Sequence, residues 1–222
     1  VAAWNIQRGM HFDLLLGALR DDPILRDADV VLLVEVDNGM ARSHDRHVAR
    51  ELAAALRRRY AFAPSYLVLE DDFGENPEGR PNSTALHGAA VLSRLPLLDA
   101  ENVDLPELRD KFSSSEKRLG KKRALLCTLD LGAVAPGQAP LPVAALHLDS
   151  NASPRQRAAQ LAAVLDRRPA GPLLCGGDFN LTTYNASSPW ALARDLLHKW
   201  FTLGFRGTVN NYMTPRRHYE QP

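Results

Sequence analysis

The sequence predicts an α/β domain, and three observations lead to this fold class. Apolar runs of strand length alternate with segments that carry the 3.6-residue period of helices. Several of these runs end in polar side chains, as strands do at the ligand crevice of α/β sheets. The 222 residues, 45% hydrophobic and 24% charged, suit one large domain over 1–222 better than two small ones.

The first half of the chain contains three predicted strands and two predicted helices. The strands are expected over 1–6, 28–36 and 60–69, and the helices over 11–20 and 44–59. The run from Ala28 to Val36 is nearly all apolar, which is typical of a strand covered on both faces. The first helix is expected to end at Asp21-Asp22-Pro23. A polar loop follows over 70–86.

The second half contains shorter strands. They are expected over 88–93, 102–105, 124–131, 141–148 and 173–175, with helices beginning at Ser153 and lying within 187–204. Ser153 and Pro154 supply an N-cap and a first-turn proline. The stretch 111–123 is expected to be a basic loop, and the chain from Gly207 onward is expected to be a loop.

Charge and cysteine content exclude several classes of protein. The formal net charge of +1 creates no global field that would attract nucleic acid or membranes. We expect no signal peptide, and no apolar run approaches the ~20 residues of a membrane span. Cys127 and Cys175 lie in apolar runs, which predicts buried free thiols. We expect a monomer, and the sequence does not indicate a compartment.

The segment 171–180 is the strongest indication of a functional site. It reads as an apolar strand that ends in two glycines and then places Asp178 and Asn180 at a turn. These two residues could simply form an Asx turn. However, three other strand-like runs also end in polar residues, at Asn5, Glu35 and His147, which favours a shared site.

Glu35 indicates a metal. It follows the run Ala-Asp-Val-Val-Leu-Leu-Val, where a carboxylate needs a cation, donors or solvent. A salt bridge to an arginine is one alternative, and a divalent metal held with Asn5 near Asp178 is the favoured one. Magnesium suits such a site because it takes one or two carboxylates and completes its shell with waters and phosphate oxygens.

These residues predict metal-assisted hydrolysis at phosphorus. Asp178 would orient or deprotonate the attacking water, and Asn180 and Asn5 would hydrogen-bond the phosphate. His147 would protonate a leaving group or donate to a phosphate oxygen, although a structural role for this histidine stays open.

Six segments, in this order, resemble the endonuclease/exonuclease/phosphatase superfamily, whose members have the deoxyribonuclease I-like fold. The segments are WNIQRG at 4–9, LLVEVDNGMARS at 32–43, LHGAAVLSRLPL at 86–97, KRLGKKRALL at 117–126, HLDSNASPRQR at 147–157 and GGDFN at 176–180. The resemblance implies a four-layered α/β sandwich of two mixed sheets. It also implies phosphoester cleavage with Mg²⁺ or Mn²⁺.

The resemblance assigns roles to individual residues. Asn5 matches the family's first-strand asparagine, Glu35 its metal-binding glutamate, and His147 its mid-chain catalytic histidine. Asp178 and Asn180 match its GDxN pair. Three more residues lie at or near family positions. A structural role is favoured for Arg94, whereas both a functional and a structural role stay open for His87 and Asp149.

Two departures from the family pattern matter. Gln7 stands where the abasic-site endonuclease branch has an acidic residue, which weakens a DNA-repair interpretation. Nothing after Asn180 matches the family's terminal Asp and Ser-Asp-His motif. We therefore expect that this chain is a segment lacking its C-terminal strands. The alternative is a catalytically inactive relative that acts as a binding module.

The substrate stays open between nucleic acid, a phospholipid head group and a soluble phosphate ester. The basic stretch Lys111–Arg123 is expected to be either a solvated loop or a phosphate-facing patch. The segment 182–222 is rich in aromatic residues that could stack on a base or head group or form a small local core. Its aromatic and arginine residues are Trp190, Trp200, Phe201, Tyr212, Arg216, Arg217 and Tyr219.

Overall fold

The computed structural model of the chain describes residues 1–70, 76, 79–114, 116–167, 171–181, 185 and 187–213. The strands in these ranges are β1 (Ala2–Arg8), β2 (Val30–Asn38), β3 (Arg59–Val68), β4 (Leu86–Ser93), β5 (Leu97–Asp104), β6 (Arg118–Gly120), β7 (Arg123–Leu129), β8 (Leu141–His147) and β9 (Leu174–Asp178). The helices are α1 (Phe12–Asp21), α2 (Pro23–Asp27), α3 (Val48–Ala55), α4 (Pro154–Leu165) and α5 (Pro189–Met213).

The strands form two mixed sheets. The first has the order β1-β2-β4-β3-β6 and the second has the order β5-β7-β8-β9. Within them, β1 is parallel to β2 and β8 is parallel to β9, whereas the remaining neighbours are antiparallel. Each sheet therefore has one parallel pair, whose carboxyl ends lie at the same edge.

Three apolar clusters define four layers. One cluster lies between the sheets and joins β2, β3 and β4 to β7 and β8, through residues that include Leu32, Val34, Ala89, Val91, Leu125, Val143 and Ala145. A second packs the outer face of the first sheet against α1 and α3. A third packs the outer face of the second sheet against α4. This confirms the expected four-layered α/β sandwich.

Several elements differ from the sequence prediction. Pro23 ends α1, as expected, but it also begins α2, because Asp22 caps the amides of Ile24 and Leu25. The predicted basic loop contains β6, which pairs with β3. The predicted strand at 102–105 is the end of the longer β5, an edge strand whose residues are mostly exposed. Hydrophobic periodicity cannot detect such a strand.

The C-terminal helix is longer than predicted. The segment expected to be a loop from Gly207 is helical as far as Met213, and Gly204, with φ 68°, breaks the helix into two parts. Of the two alternatives for the aromatic residues, a small local core does not include the described Trp190 and Phe201, which are 86% and 83% exposed. The side chains of Tyr212, Arg216, Arg217 and Tyr219 lie outside the described ones.

Other local predictions are confirmed. Ser153 forms a capping box with Gln156 at the start of α4, and both cysteines are free, although Cys175 is only partly buried. Arg94 Nη2 donates to the carbonyl of Arg26 at 2.6 Å, which agrees with the structural role favoured for it. In the part of the chain that the structure describes, no helix is long and apolar enough to cross a membrane.

Candidate functional site

The carboxyl ends of the two parallel strand pairs meet and bring the predicted site residues together. His147 and Asp178 are direct neighbours across β8 and β9. On the first sheet, Asn5 of β1 pairs with Val34 of β2, immediately before Glu35. The site therefore has one wall on each sheet.

Asn5 joins the two walls. Its Nδ2 donates to Glu35 Oε1 at 3.2 Å and to Asp178 Oδ2 at 3.0 Å. Its Oδ1 accepts from the backbone N–H of Gln7 at 3.1 Å. One amide group thus holds two carboxylates from different sheets close together.

The Asp178 carboxylate has two neighbours in addition to Asn5. Its Oδ1 accepts from the Asn180 backbone N–H at 2.9 Å, so the Asx turn that the sequence left open does form. Its Oδ2 lies 3.8 Å from His147 Nε2. The Asn180 side chain donates to the carbonyl of Leu148 at 2.8 Å. The turn and the shared site therefore coexist.

The backbone at the site departs from regular strand geometry. Glu35 has φ 55° at a bulge between Val34 and Val36, and Asn180 has φ 47°. Left-handed conformations are uncommon for residues other than glycine and concentrate at functional sites. The bulge turns Glu35 away from the alternation of β2, so that it lines the cavity between the sheets.

The local charges set the protonation states of the central pair. Burial raises the pKa of Asp178, but hydrogen bonds from Asn5 and Asn180 and the charge of Lys122 outweigh burial and hold that pKa below its ordinary value. Burial and the Lys122 charge lower the pKa of His147 to about 3. At neutral pH Asp178 is therefore ionised and His147 is neutral.

The carboxylates fit a hard divalent cation. Glu35 accepts one amide hydrogen bond from Asn5, and the described residues give it no ion pair. Among these residues no three His, Cys, Asp or Glu side chains are grouped closely enough to hold a metal by themselves. Magnesium does not need three, because waters and substrate oxygens complete its shell.

A cavity of about 380 Å³ opens at this edge of the sandwich. Glu35, His147, Asp178 and Asn180 line one part of it, and basic residues line another part. The basic residues are Arg8, Lys111, Arg118, Lys122 and Arg123. Four of them belong to the predicted basic stretch, so this stretch faces the site rather than bulk solvent alone.

Lys122 and Lys111 share one carboxylate on the basic wall. Each Nζ lies 3.5 Å from Asp149 Oδ1, and Lys122 Nζ also donates to the Leu148 carbonyl at 2.9 Å. Burial, opposed by the charge of Asp149, lowers the pKa of Lys122 to about 8. Two ammonium groups on one carboxylate leave an excess positive charge that can attract a phosphate.

A buried network that is not evident from the sequence lies behind the cavity. His87 Nδ1 lies 2.7 Å from Asp37 Oδ1, and Arg42 binds Asp37 through Nε at 2.7 Å and Nη2 at 3.0 Å. Arg42 Nη1 also donates to Glu116 at 2.6 Å, and Glu116 pairs with Arg118. Asp37 and Arg42 lie in the segment 32–43 that resembles the family. No sequence pattern, however, indicates that Arg42 pairs with Glu116, which lies 74 positions further along the chain.

Comparisons with known proteins agree with this architecture. The model of the Endonuclease/Exonuclease/phosphatase family matches residues 2–219. The human nocturnin catalytic domain with bound sulfate anion is 20% identical, with a TM-score of 0.52 over 83% of this chain and 64% of that domain. A family protein from Leptotrichia buccalis C-1013-b is 15% identical, with a TM-score of 0.52 over 89% of this chain and 72% of its own. A comparison with curated proteins found no match.

Proposed function

Because this chain belongs to the endonuclease/exonuclease/phosphatase family, we propose that it is a divalent-metal-dependent phosphoester hydrolase in which water attacks phosphorus. The chain spans 64% of the length of the nocturnin domain, and we propose that 1–222 form one domain of this kind. The observation that carries the proposal is the pair of carboxylates, Glu35 and Asp178, held by the Asn5 amide at the edge of a cavity with a basic wall.

Glu35 is the residue that would hold the cation. When bound, a Mg²⁺ or Mn²⁺ ion supplies positive charge that neutralises phosphate oxygens. Asn5 was also a candidate ligand, but its oxygen accepts the Gln7 N–H and its nitrogen contacts both carboxylates. We therefore assign Asn5 to positioning the carboxylates rather than to binding the metal.

Asp178 has the properties of the group that orients the attacking water. It is ionised, half-buried and fixed through both oxygens, so its remaining acceptor capacity points in a defined direction. His147 is neutral and can donate a hydrogen bond to a phosphate oxygen, but at neutral pH it holds no imidazolium proton to give to a leaving group. The Asn180 side chain is held in place by its hydrogen bond to the Leu148 carbonyl.

The basic wall would bind the phosphate. Lys111 and Lys122 carry the excess charge described above, and Arg118 and Arg123 extend the wall along the cavity. This arrangement suits any phosphate ester, so nucleic acid, a phospholipid head group and a soluble ester all remain candidate substrates.

The test is hydrolysis of bis(p-nitrophenyl) phosphate by the chain with Mg²⁺, with Mn²⁺ and with EDTA. We expect metal-dependent turnover that falls at least about 100-fold in Asp178→Ala, the size of a general acid-base contribution. Asp99→Ala is the matched control, because Asp99 is an exposed carboxylate on β5. Unchanged activity in Asp178→Ala would exclude the assignment.

A substrate panel separates the remaining possibilities. It compares single-stranded and duplex DNA, RNA, sphingomyelin and inositol phosphates under the same metal conditions. Binding of one of these without turnover in any metal would favour the binding-module alternative over the hydrolase.

A further inference from the structure

His87 lies at the boundary between the apolar core that separates the two sheets and the cavity at their edge. It is the second residue of β4 and pairs with Asp37 on β2 and with Tyr66 on β3. Alternation along β4 puts His87 on the same face as Ala89 and Val91, which belong to the core between the sheets. The ring lines the cavity that holds Glu35, His147 and Asp178.

Both neighbours of β4 are bulged beside His87. The bulge on β2 lies at Glu35, and the bulge on β3 lies at Ser65, between Pro64 and Tyr66. Both bulged residues line the same cavity. Bulges next to active sites redirect side chains, and here they frame the histidine from two sides.

The buried network fixes the tautomer of the His87 ring. Asp37 is fully buried between His87 and Arg42, and Arg42 donates to both of its oxygens, so the carboxylate acts as an acceptor toward His87. The Nδ1 of His87 must therefore carry the hydrogen of the 2.7 Å bond. Burial lowers the pKa of His87, so the ring is neutral and Nε2 keeps its lone pair. No described protein group bonds to Nε2.

A purely structural role does not account for this arrangement. Burying Asp37, Arg42 and Glu116 has a high desolvation cost, and apolar residues of similar volume would fill the same space without it. What the network provides is one imidazole held in one orientation and one tautomer at a cavity wall. A carboxylate that fixes a histidine in this way leaves the other ring nitrogen ready to accept a proton.

We propose that His87 is a further catalytic residue, whose Nε2 accepts the proton of the attacking water while Asp37 holds the ring. The inference rests on the proposed hydrolase function and assigns the proton acceptor that function requires, with Asp178 orienting the water. The charged and titratable groups around the ring are Asp37 and Arg42 from β2 and the turn after it, Glu116 and Arg118 from the basic stretch, and His147 from β8.

In the proposed step, proton transfer to Nε2 accompanies the attack of water on phosphorus. One O–H bond of water breaks and its proton goes to Nε2, while the oxygen forms a bond to phosphorus. The bond from phosphorus to the leaving oxygen breaks with its electron pair on that oxygen, which takes a proton from solvent. The imidazolium then returns its proton to solvent, so the net reaction is hydrolysis.

The test compares the wild-type chain with His87→Gln, His87→Ala, Asp178→Ala and His11→Gln under saturating Mg²⁺ and bis(p-nitrophenyl) phosphate. His11 is the matched control, since it is exposed and its side chain caps no helix. We expect kcat to fall about 100-fold in His87→Gln with little change in KM. We also expect added imidazole to restore part of the rate in His87→Ala, which a structural role would not produce.

A ¹⁵N NMR measurement of the wild-type tautomer gives a readout that does not depend on any variant folding. The proposal requires a neutral ring protonated at Nδ1, and a ring protonated at Nε2 would overturn it. If wild type is active, Asp178→Ala is inactive and His87→Gln retains its rate, the His87 proposal fails and the hydrolase stands. A wild-type chain inactive toward the whole substrate panel would overturn both.

Discussion

Asn5 and Asp178 are 173 positions apart in the chain, yet Asn5 Nδ2 donates a 3.0 Å hydrogen bond to Asp178 Oδ2. The bond joins β1 of one sheet to β9 of the other, so the site exists only when the two sheets pack. Gly176 makes that approach possible, because a Cβ there would lie 2.7 Å from Leu32 Cδ1 and 3.1 Å from Ala3 Cβ. The packing of the sandwich and the geometry of the site therefore depend on each other.

Replacing Asn5 by Asp tests this link. The change turns a donor into a third carboxylate beside Glu35 and Asp178, and we expect unfolding free energy at pH 7 to fall by about 1–3 kcal/mol. The repulsion requires ionised carboxylates, so the loss should shrink at pH 4. Urea unfolding at the two pH values measures both effects, and Asn102→Asp on the exposed edge of β5 is the control. An equal loss at both pH values would contradict the electrostatic cause.

Gly177 gives a second prediction. It has φ 135°, and a Cβ there would lie 2.0 Å from the Leu146 carbonyl oxygen, so Gly177→Ala should displace β9 from β8. We expect Gly177→Ala to lower the free energy of unfolding and to displace the neighbouring Asp178 from the candidate site. Gly17→Ala is the matched substitution, because Gly17 lies within α1 and its nearest contact is 4.0 Å away. That change should stabilise by roughly 0.5–1 kcal/mol. Thermal unfolding of both variants should show opposite signs.

The sequence predicts most of the layers of this fold, and the reason is visible in particular residues. The runs that became β2 and β8 are apolar enough to identify without tertiary context, and each is followed by its polar site residue. The first part of β5 and the helix α2 were missed because they bury few apolar side chains. Their structure depends on pairing with β7 and on the Asp22 cap.

The sequence predicted the residues of the candidate site but not their hydrogen-bond and ion-pair partners. The polar residues Asn5, Glu35, His147, Asp178 and Asn180 each interrupt or end an apolar run, so their type and position are evident from the sequence. The salt-bridge alternative for Glu35 could not be decided from the sequence, because the arginine nearest in sequence, Arg42, is used by Asp37 instead. Pairings across strands depend on register and bulges, which the sequence does not specify.

The buried network gives a third prediction. In Arg42→Met the carboxylates of Asp37 and Glu116 lose their shared cation inside the protein, since both are almost fully buried. Removing one partner of a buried ion pair costs about 3–5 kcal/mol, and we expect a loss of this size in urea unfolding. Arg50→Met on the exposed face of α3 should change stability by less than about 0.5 kcal/mol. Similar values for the two variants would show that the network contributes little.

The lowered pKa of His147 gives a prediction for acid stability. The pKa is about 3 in the folded chain and 6.5 for an unperturbed histidine, so between these values the unfolded chain binds a proton that the folded chain does not. Unfolding free energy therefore falls as pH decreases through this window, and the His147 contribution is fully present only above about pH 6.5. Asp37, Asp149 and Asp178 have pKa values held below 3.8, so the stability that they contribute is lost at lower pH.

The measurement is the free energy of unfolding from pH 7 to pH 4.5. Its slope against pH should be shallower in His147→Gln than in wild type, whereas His11→Gln should keep the wild-type slope. Parallel curves for wild type and His147→Gln would mean that burial does not keep this ring neutral.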